Sequence, residues 1–277
     1  MRTPSSAYVR VLRAIGIALV AFFAAFPIYW MLNTALASSS ELASGQDAWP
    51  HVERVGTFLD FVQEVPILMW LGNSTIIAGG QTILSMVMAL GAAYALSRFK
   101  FRGKNGSNFL LFSTQMLPEA LVVVPLFALF STFGLLNSLW GLVLVNTAFV
   151  MPVAAFIIKG AIDAIPYELE ESARVDGSST IGIVSLIVFP LVAPSVAAGA
   201  VLTFFDGWGE FLFANTFLRD PELSPASVGL ASLIGEFYTP MNGLMVASLV
   251  FTIPPLVFFM IVQKKIVTGL TAGSVKG

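Results

Sequence analysis

The segment Tyr167–Ser179 reads YELEESARVDGSS and holds Glu168, Glu170, Glu171 and Asp176 with a single base, Arg174. In a chain with only 11% charged residues, that is the densest group of side chains able to pair with a partner's cations. Glu119 is a second carboxylate of interest, the only charge inside the long apolar run from residue 105 to residue 159. A carboxylate at such a place is costly and is a functional hypothesis by default. It can line a pathway, contact hydroxyl groups of a solute or relay protons. A place near the interface, or a neutral acid bonded to another helix, fits as well. Asn73, Gln115, Asn146 and Thr203 are uncharged polar residues on apolar stretches. They can bind a polar solute or hold helices together.

Several chemistries are excluded at once. The chain has no cysteine and one histidine, His51. Disulfides, thiolate nucleophiles and Cys-based metal sites therefore have no residues to work with, and multi-His metal sites and His-dependent triads are close to excluded. No G-x-x-x-x-G-K-[ST] segment occurs, so no P-loop is expected, and neither a dinucleotide fingerprint nor a nucleic-acid module is present.

Hydrophobic residues make up 57% of the 277 residues, and the mean hydropathy is +0.86. A soluble domain is about half apolar and about a quarter charged. The composition predicts an all-α membrane protein, because hydrocarbon leaves backbone groups no partners outside a helix or a closed barrel. A span needs about 20 apolar residues. Six spans follow, at about 14–36, 70–96, 108–130, 140–159, 182–205 and 240–263, within one membrane domain.

Lys and Arg set the orientation. Arg2, Arg10, Arg13, Arg98, Lys100, Arg102, Lys104, Lys159, Arg174, Lys264, Lys265 and Lys276 fall on one side, and only Arg54 and Arg219 on the other. The positive-inside rule makes the first side cytoplasmic, with both termini and Tyr167–Ser179. An alternative is a cleaved signal peptide, Ala14–Leu32 followed by Ala35-Leu36-Ala37. Trp30, Trp49, Trp70, Trp140 and Trp208 fall near outer span ends and suggest an interfacial belt.

The acidic segment itself predicts a short helix at about 166–177. Pro166 suits a first turn, the glutamates favour the positive end of the helix dipole, and Glu170 precedes Arg174 by four. Gly177 supplies a stop. A solvated connector is the plainer account of the same pattern.

The residues also carry a resemblance. Glu171-Ser172-Ala173, three residues, Gly177, nine residues, Ile187, one residue and Phe189-Pro190 resemble the EAA signature of ABC importer permeases, with Ser172 and Phe189 as mild departures. FPIYWMLNTAL (26–36), NSTIIA (73–78), AYALSRFKFRGK (93–104), MLPEALVVVPLFALFSTFGLLNSLWGL (116–142), WGEFLFA (208–214) and the tail QKKIVTGLTAGSVKG (263–277) resemble the carbohydrate branch. The tail is similar to MalG-like subunits, the inner-membrane components of binding-protein-dependent transport systems.

The resemblance implies a type I importer permease of six transmembrane helices with a cytoplasmic coupling helix. Glu170, Glu171, Ser172, Ala173, Arg174, Asp176 and Gly177 would then meet an ATPase. It further implies a second homologous permease, two cytoplasmic ATPase subunits, an extracytoplasmic solute-binding protein and a sugar as cargo, in the cell membrane. No cofactor is expected on this chain; ATP and magnesium would sit on the ATPase, so the chain is not expected to be an enzyme. The tail GLTAGSVKG would lie along the ATPase. Asn73, Gln115, Glu119, Asn146 and Thr203 are the candidate pathway residues. The alternatives are another polar cargo such as glycerol phosphate, or a proton-coupled secondary transporter that uses Glu119.

Overall fold

The computed structural model describes residues 7–235 and 239–273, and within these all regular structure is helical. The helices are α1 (Ala7–Ala35), α2 (Ser39–Ser44), α3 (Val55–Glu64), α4 (Ile67–Arg98), α5 (Lys104–Thr114), α6 (Glu119–Thr132), α7 (Leu139–Asp163), α8 (Glu168–Val175), α9 (Thr180–Ile183), α10 (Phe189–Gly209), α11 (Leu212–Phe217), α12 (Ala226–Ser232) and α13 (Met241–Gly273). Among the described residues five stretches are long and apolar enough to cross a membrane: most of α1, α4, α7, Thr180–Gly209 and Met241–Ile266. Arg2 and the tail residues Ser274–Gly277 lie outside the described residues, as do the side chains from Val267 onward.

The span expected at 108–130 is not one straight helix. α5 and α6 meet at a 103° bend and together could make one broken span. Pro118 causes the break. A proline pushes the residue before it out of helical geometry and has no N–H to continue the ladder. Pro118 is itself extended, at φ −68° and ψ 123°, and α6 restarts with Glu119 as its first residue. The chain thus presents a carboxylate at a helix start inside an apolar region.

The chain resolves into two compact units. One lies within Met1–Ile67 and Leu230–Thr252. Its α1 has no buried residue in its most apolar window. The end of α1 is tied to the following loop. The Asn33 amide donates to the Asp47 carbonyl at 2.7 Å and the Tyr29 hydroxyl to that of Ala48. A capping box of Ser38 and Glu41 starts α2. Arg54 pairs with Glu41, and that hydrogen bond holds the Glu41 carboxyl down to about 2.

The other unit comprises Leu68–Gly229 with Ile253–Gly277. Two buried clusters organise it. Ala89, Ala93 and Tyr94 of α4 pack with Ala154, Ala155, Ile158 and Ile162 of α7, Ala173 of α8, and Ile183, Val188 and Val192 further on. Ile77, Val123, Phe130, Leu142 and Val145 pack with Phe213, Ala214 and Phe217 of α11. The first cluster seats α8; the second seats α11 against α6. Between α9 and α10, Val184–Val188 is π-helical. Pro190 cannot donate to the carbonyl four residues before it, so the ladder there is already interrupted.

The tryptophans correct one expectation. Trp30, Trp49 and Trp140 are exposed, as an interfacial belt requires, but Trp70 and Trp208 are buried. Trp208 stacks on Phe204, with ring centroids 5.7 Å apart, and Trp70 closes over Gly229, where any side chain would collide with the indole. Packing inside the protein, not the membrane interface, accounts for these two.

Candidate functional site

α8 sits between α7 and α9, the loop position expected of the acidic helix. Its inner face is made by Glu170 and Ala173, three residues apart, and both are buried. Glu170 is 0% exposed. Its carboxylate accepts from the Tyr94 hydroxyl at 2.8 Å and from Arg98 Nε at 2.6 Å. Arg174 Nη2 lies 3.6 Å from it on the third side. Arg98 also donates to the Ile165 carbonyl at 2.9 Å. A buried charge survives when it is paired and fully hydrogen-bonded, and α4 supplies two of the three partners.

The sequence reading gave Glu170 and Ala173 an outward, partner-facing place; the fold turns both inward. Glu170 ties α8 to the end of α4, and Ala173 packs into the first cluster. Tyr94 and Arg98, which sequence reasoning did not single out as site residues, are the anchors. Their signal was the i, i+4 spacing of a phenol and a guanidinium at the end of an apolar helix. The outer face is Glu171, Ser172, Val175 and Asp176, with Arg174 at its edge; all five are exposed. Val175 is an apolar side chain 88% exposed. α8 ends at Gly177, φ +84°. Ser178 N–H reaches the Ala173 carbonyl and Gly177 N–H that of Arg174, the paired bonds of a Schellman stop.

The second site is a recess of about 230 Å³ lined by Glu119, Asn146, Asp206 and Glu210 with Phe149 and Phe211 among its walls. Glu210 follows α10 and caps α11: its two oxygens accept from Phe213 N at 2.6 Å and Ala214 N at 3.0 Å. Asp206, near the end of α10, accepts from Gln81 Nε2 at 3.2 Å. The same nitrogen donates to the Thr203 carbonyl at 2.8 Å. Gly207 makes this approach of Gln81 possible, since a Cβ there would fall on the Gln81 amide. Among the described residues no basic side chain lines the recess. Among the described residues the three carboxylates form no ion pair, and no three metal-ligating side chains stand together as a metal site.

The structure therefore brings two of the five candidate pathway residues, Glu119 and Asn146, into one recess and places the other three elsewhere. Asn73 donates to the carbonyls of Glu222 and Ser224. Gln115 donates to the Phe149 carbonyl at 2.7 Å, and the Thr203 hydroxyl donates to that of Gly199 at 2.8 Å. These are tethers within the protein. Asp206 and Glu210 were missed as site residues because the span expected at 182–205 stops just short of them.

Residues 81–271 match the family described as binding-protein-dependent transport system inner membrane component. The chain is 32% identical over 274 residues to the trehalose/maltose transport system permease protein MalG of Thermococcus litoralis, covering 97% of each. It is 32% identical over 267 residues to the sulfoquinovosyl glycerol transport system permease protein SmoH of Agrobacterium fabrum, covering 96% of this chain and 94% of the relative. It is 33% identical over 271 residues to the galactooligosaccharides transport system permease protein GanQ of Bacillus subtilis, covering 94% of each. Among solved structures, a bacterial ABC transporter involved in the import of the acidic polysaccharide alginate has the same fold, with TM-score 0.79 at 20% identity over 95% of this chain and 98% of that one. The matched region runs from Gln81 through both sites into α13, and the chain belongs to the inner-membrane components of binding-protein-dependent transport systems, as a multi-pass membrane protein.

Proposed function

We propose that the chain is the membrane-spanning permease subunit of an ATP-driven importer for a sugar, moved by an ATPase that docks on α8. The observation that carries the reading is the two-faced construction of α8. Its inner face is bolted to α4 through Glu170, and its outer face offers exposed Glu171, Ser172, Val175 and Asp176. A force on that face would pass to α4 through the Glu170 hydrogen bonds and to α7 and α10 through the cluster around Ala173. Packed elements transmit displacement because they have few intermediate arrangements.

In this reading α8 and both termini are cytoplasmic, which is supported by the sequence distribution of basic residues, twelve of the fourteen falling in the termini and the loops read as one side. ATP and magnesium are held by the ATPase subunits. A second permease completes the pathway, and a binding protein delivers cargo to the outer face. Sugar as the cargo class is supported by the trehalose/maltose and galactooligosaccharides relatives.

The test is a mild-detergent pull-down of the tagged chain from its native membrane, followed by uptake assays. An ATPase and a second multi-span permease are expected in stoichiometric amounts. Glu171→Lys is expected to abolish uptake while the chain still inserts. A chain that elutes alone yet supports transport, or a Glu171→Lys variant with normal uptake, would overturn the reading.

A further inference from the structure

Four observations about the recess point to a ligand. It is lined by three carboxylates and no base. Glu119 and Asp206 are solvent-reachable in the isolated chain although both lie in apolar stretches. Charged side chains at such places face a water-filled cavity or another protein, because hydrocarbon cannot solvate them. Asn146 is the independent sign. It lines the same recess, it is only 3% exposed, and among the described residues neither its side-chain oxygen nor its nitrogen has a hydrogen-bond partner. A buried amide left unpaired on both ends costs about 1 to 3 kcal/mol per group, so a site that keeps one is built for something that supplies the missing bonds. The fourth observation is rigidity. Gln81 holds Asp206, and two backbone N–H groups of α11 hold Glu210. The acceptors are fixed before any ligand arrives.

The inventory of the recess is one-sided. While ionised, the carboxylates only accept, and the amide donor facing the cavity is that of Asn146. Hydroxyl groups satisfy such a lining, and a protonated amine satisfies it better because it also offsets the charge. A carboxylate, sulfonate or phosphate on the solute would meet like charges at short range.

We propose that Glu119, Asn146, Asp206 and Glu210 form a cargo subsite that takes sugars presenting hydroxyl and ammonium donors and rejects anionic sugars. The proposal rests on the importer reading for the identity of the solute as cargo.

The chain lacks cysteine, so one introduced thiol reports on the recess. Gly209 lines it, and a Cβ there meets nothing within 4 Å. The Gly209→Cys chain, in the assembled transporter in proteoliposomes, is labelled with a cationic and an anionic methanethiosulfonate of matched size. Each rate is divided by that of a free thiol, and labelling is read on this chain by mass spectrometry. The cationic reagent is expected to react about tenfold faster after this correction, because a cleft lined by one sign of charge concentrates counter-ions. The ratio should fall toward one when Glu119→Gln and Asp206→Asn are added. Chitosan dimer should slow labelling most, maltose less, and digalacturonate not at all. Equal corrected rates, protection by digalacturonate, or failure of both reagents to react in every nucleotide state would each overturn the subsite. Glu119→Cys, at an exposed position, serves as a second sensor if Gly209→Cys does not assemble. The charge ratio needs no ATPase. If it appears while Glu171→Lys transports normally, the coupling reading falls and the recess stands. If it is absent while Glu171→Lys blocks uptake, the reverse holds.

Discussion

Glu170 and the Glu119–Asp206–Glu210 group are both carboxylate sites beside apolar helices, yet they are built on opposite plans. Glu170 is fully buried and touches Tyr94, Arg98 and Arg174. The recess holds three carboxylates with no cation among its lining residues and one amide with nothing bonded to it. The first site is complete within the chain. The second is complete only with something added. The difference separates a charge that holds helices together from charges that wait for a solute, and burial alone would have misassigned them. The more buried carboxylate is the structural one.

The comparison predicts its largest effect at Glu170. Glu170→Ala leaves Arg98, whose side chain is only 10% exposed, without its carboxylate. Breaking one side of a buried pair costs about 3 to 5 kcal/mol. The variant is expected to lose thermal stability in detergent and to detach α8 from α4, read as faster amide exchange over residues 168–175. An unchanged melting temperature would mean that α8 is not anchored there. Next is Gly207→Ala. Its methyl would displace the Gln81 amide and with it the hold on Asp206, and overpacking of this kind costs about 1 to 3 kcal/mol. The same change at Gly209, where space is open, is expected to be nearly silent in the melt. Similar losses at both glycines would contradict the account of Gln81. Smaller again is Gly177→Ala. At φ +84° the added Cβ costs about 1 kcal/mol. Uptake should fall with little change in the melting temperature of the rest, because the strain sits in the turn after α8.

Much of this was legible in the sequence. Spans, the acidic helix and its stop at Gly177 follow from composition, spacing and glycine chemistry, and the helices over 67–98, 139–163 and 180–209 carry the apolar runs that predicted them. What stayed hidden depends on contacts distant along the chain. Glu170 and Glu171 are adjacent and chemically alike, so only the fold can say that one faces Tyr94 and Arg98 and the other solvent. Asn146 and Thr203 looked alike as lone polar residues on apolar helices. The Thr203 hydroxyl bonds back to its own helix, as a short side chain can without help from elsewhere, whereas the Asn146 amide finds nothing. The bend at Pro118 was signalled by the proline; its 103° size was not.

The smallest stability effect carries the sharpest contrast. Glu119→Gln removes a charge but keeps shape and one acceptor. Glu119 has no ion pair to lose among the described residues and is exposed, so stability should change by no more than about 0.5 kcal/mol. Glu170→Gln, the same chemical change, strips Arg98 of its counter-charge and should cost several times as much. Transport should invert the order of interest: Glu119→Gln, hardly visible in a melt, should reduce uptake of a cationic sugar more than that of a neutral one. The two isosteric variants, measured side by side for melting temperature and for uptake of chitosan dimer against maltose, place each carboxylate in its class. If Glu119→Gln lowers the melting temperature as Glu170→Gln does, Glu119 is a structural residue and the recess is a packing defect filled by a partner chain. If it leaves the melt unchanged and shifts cargo preference, the charge is there for the solute.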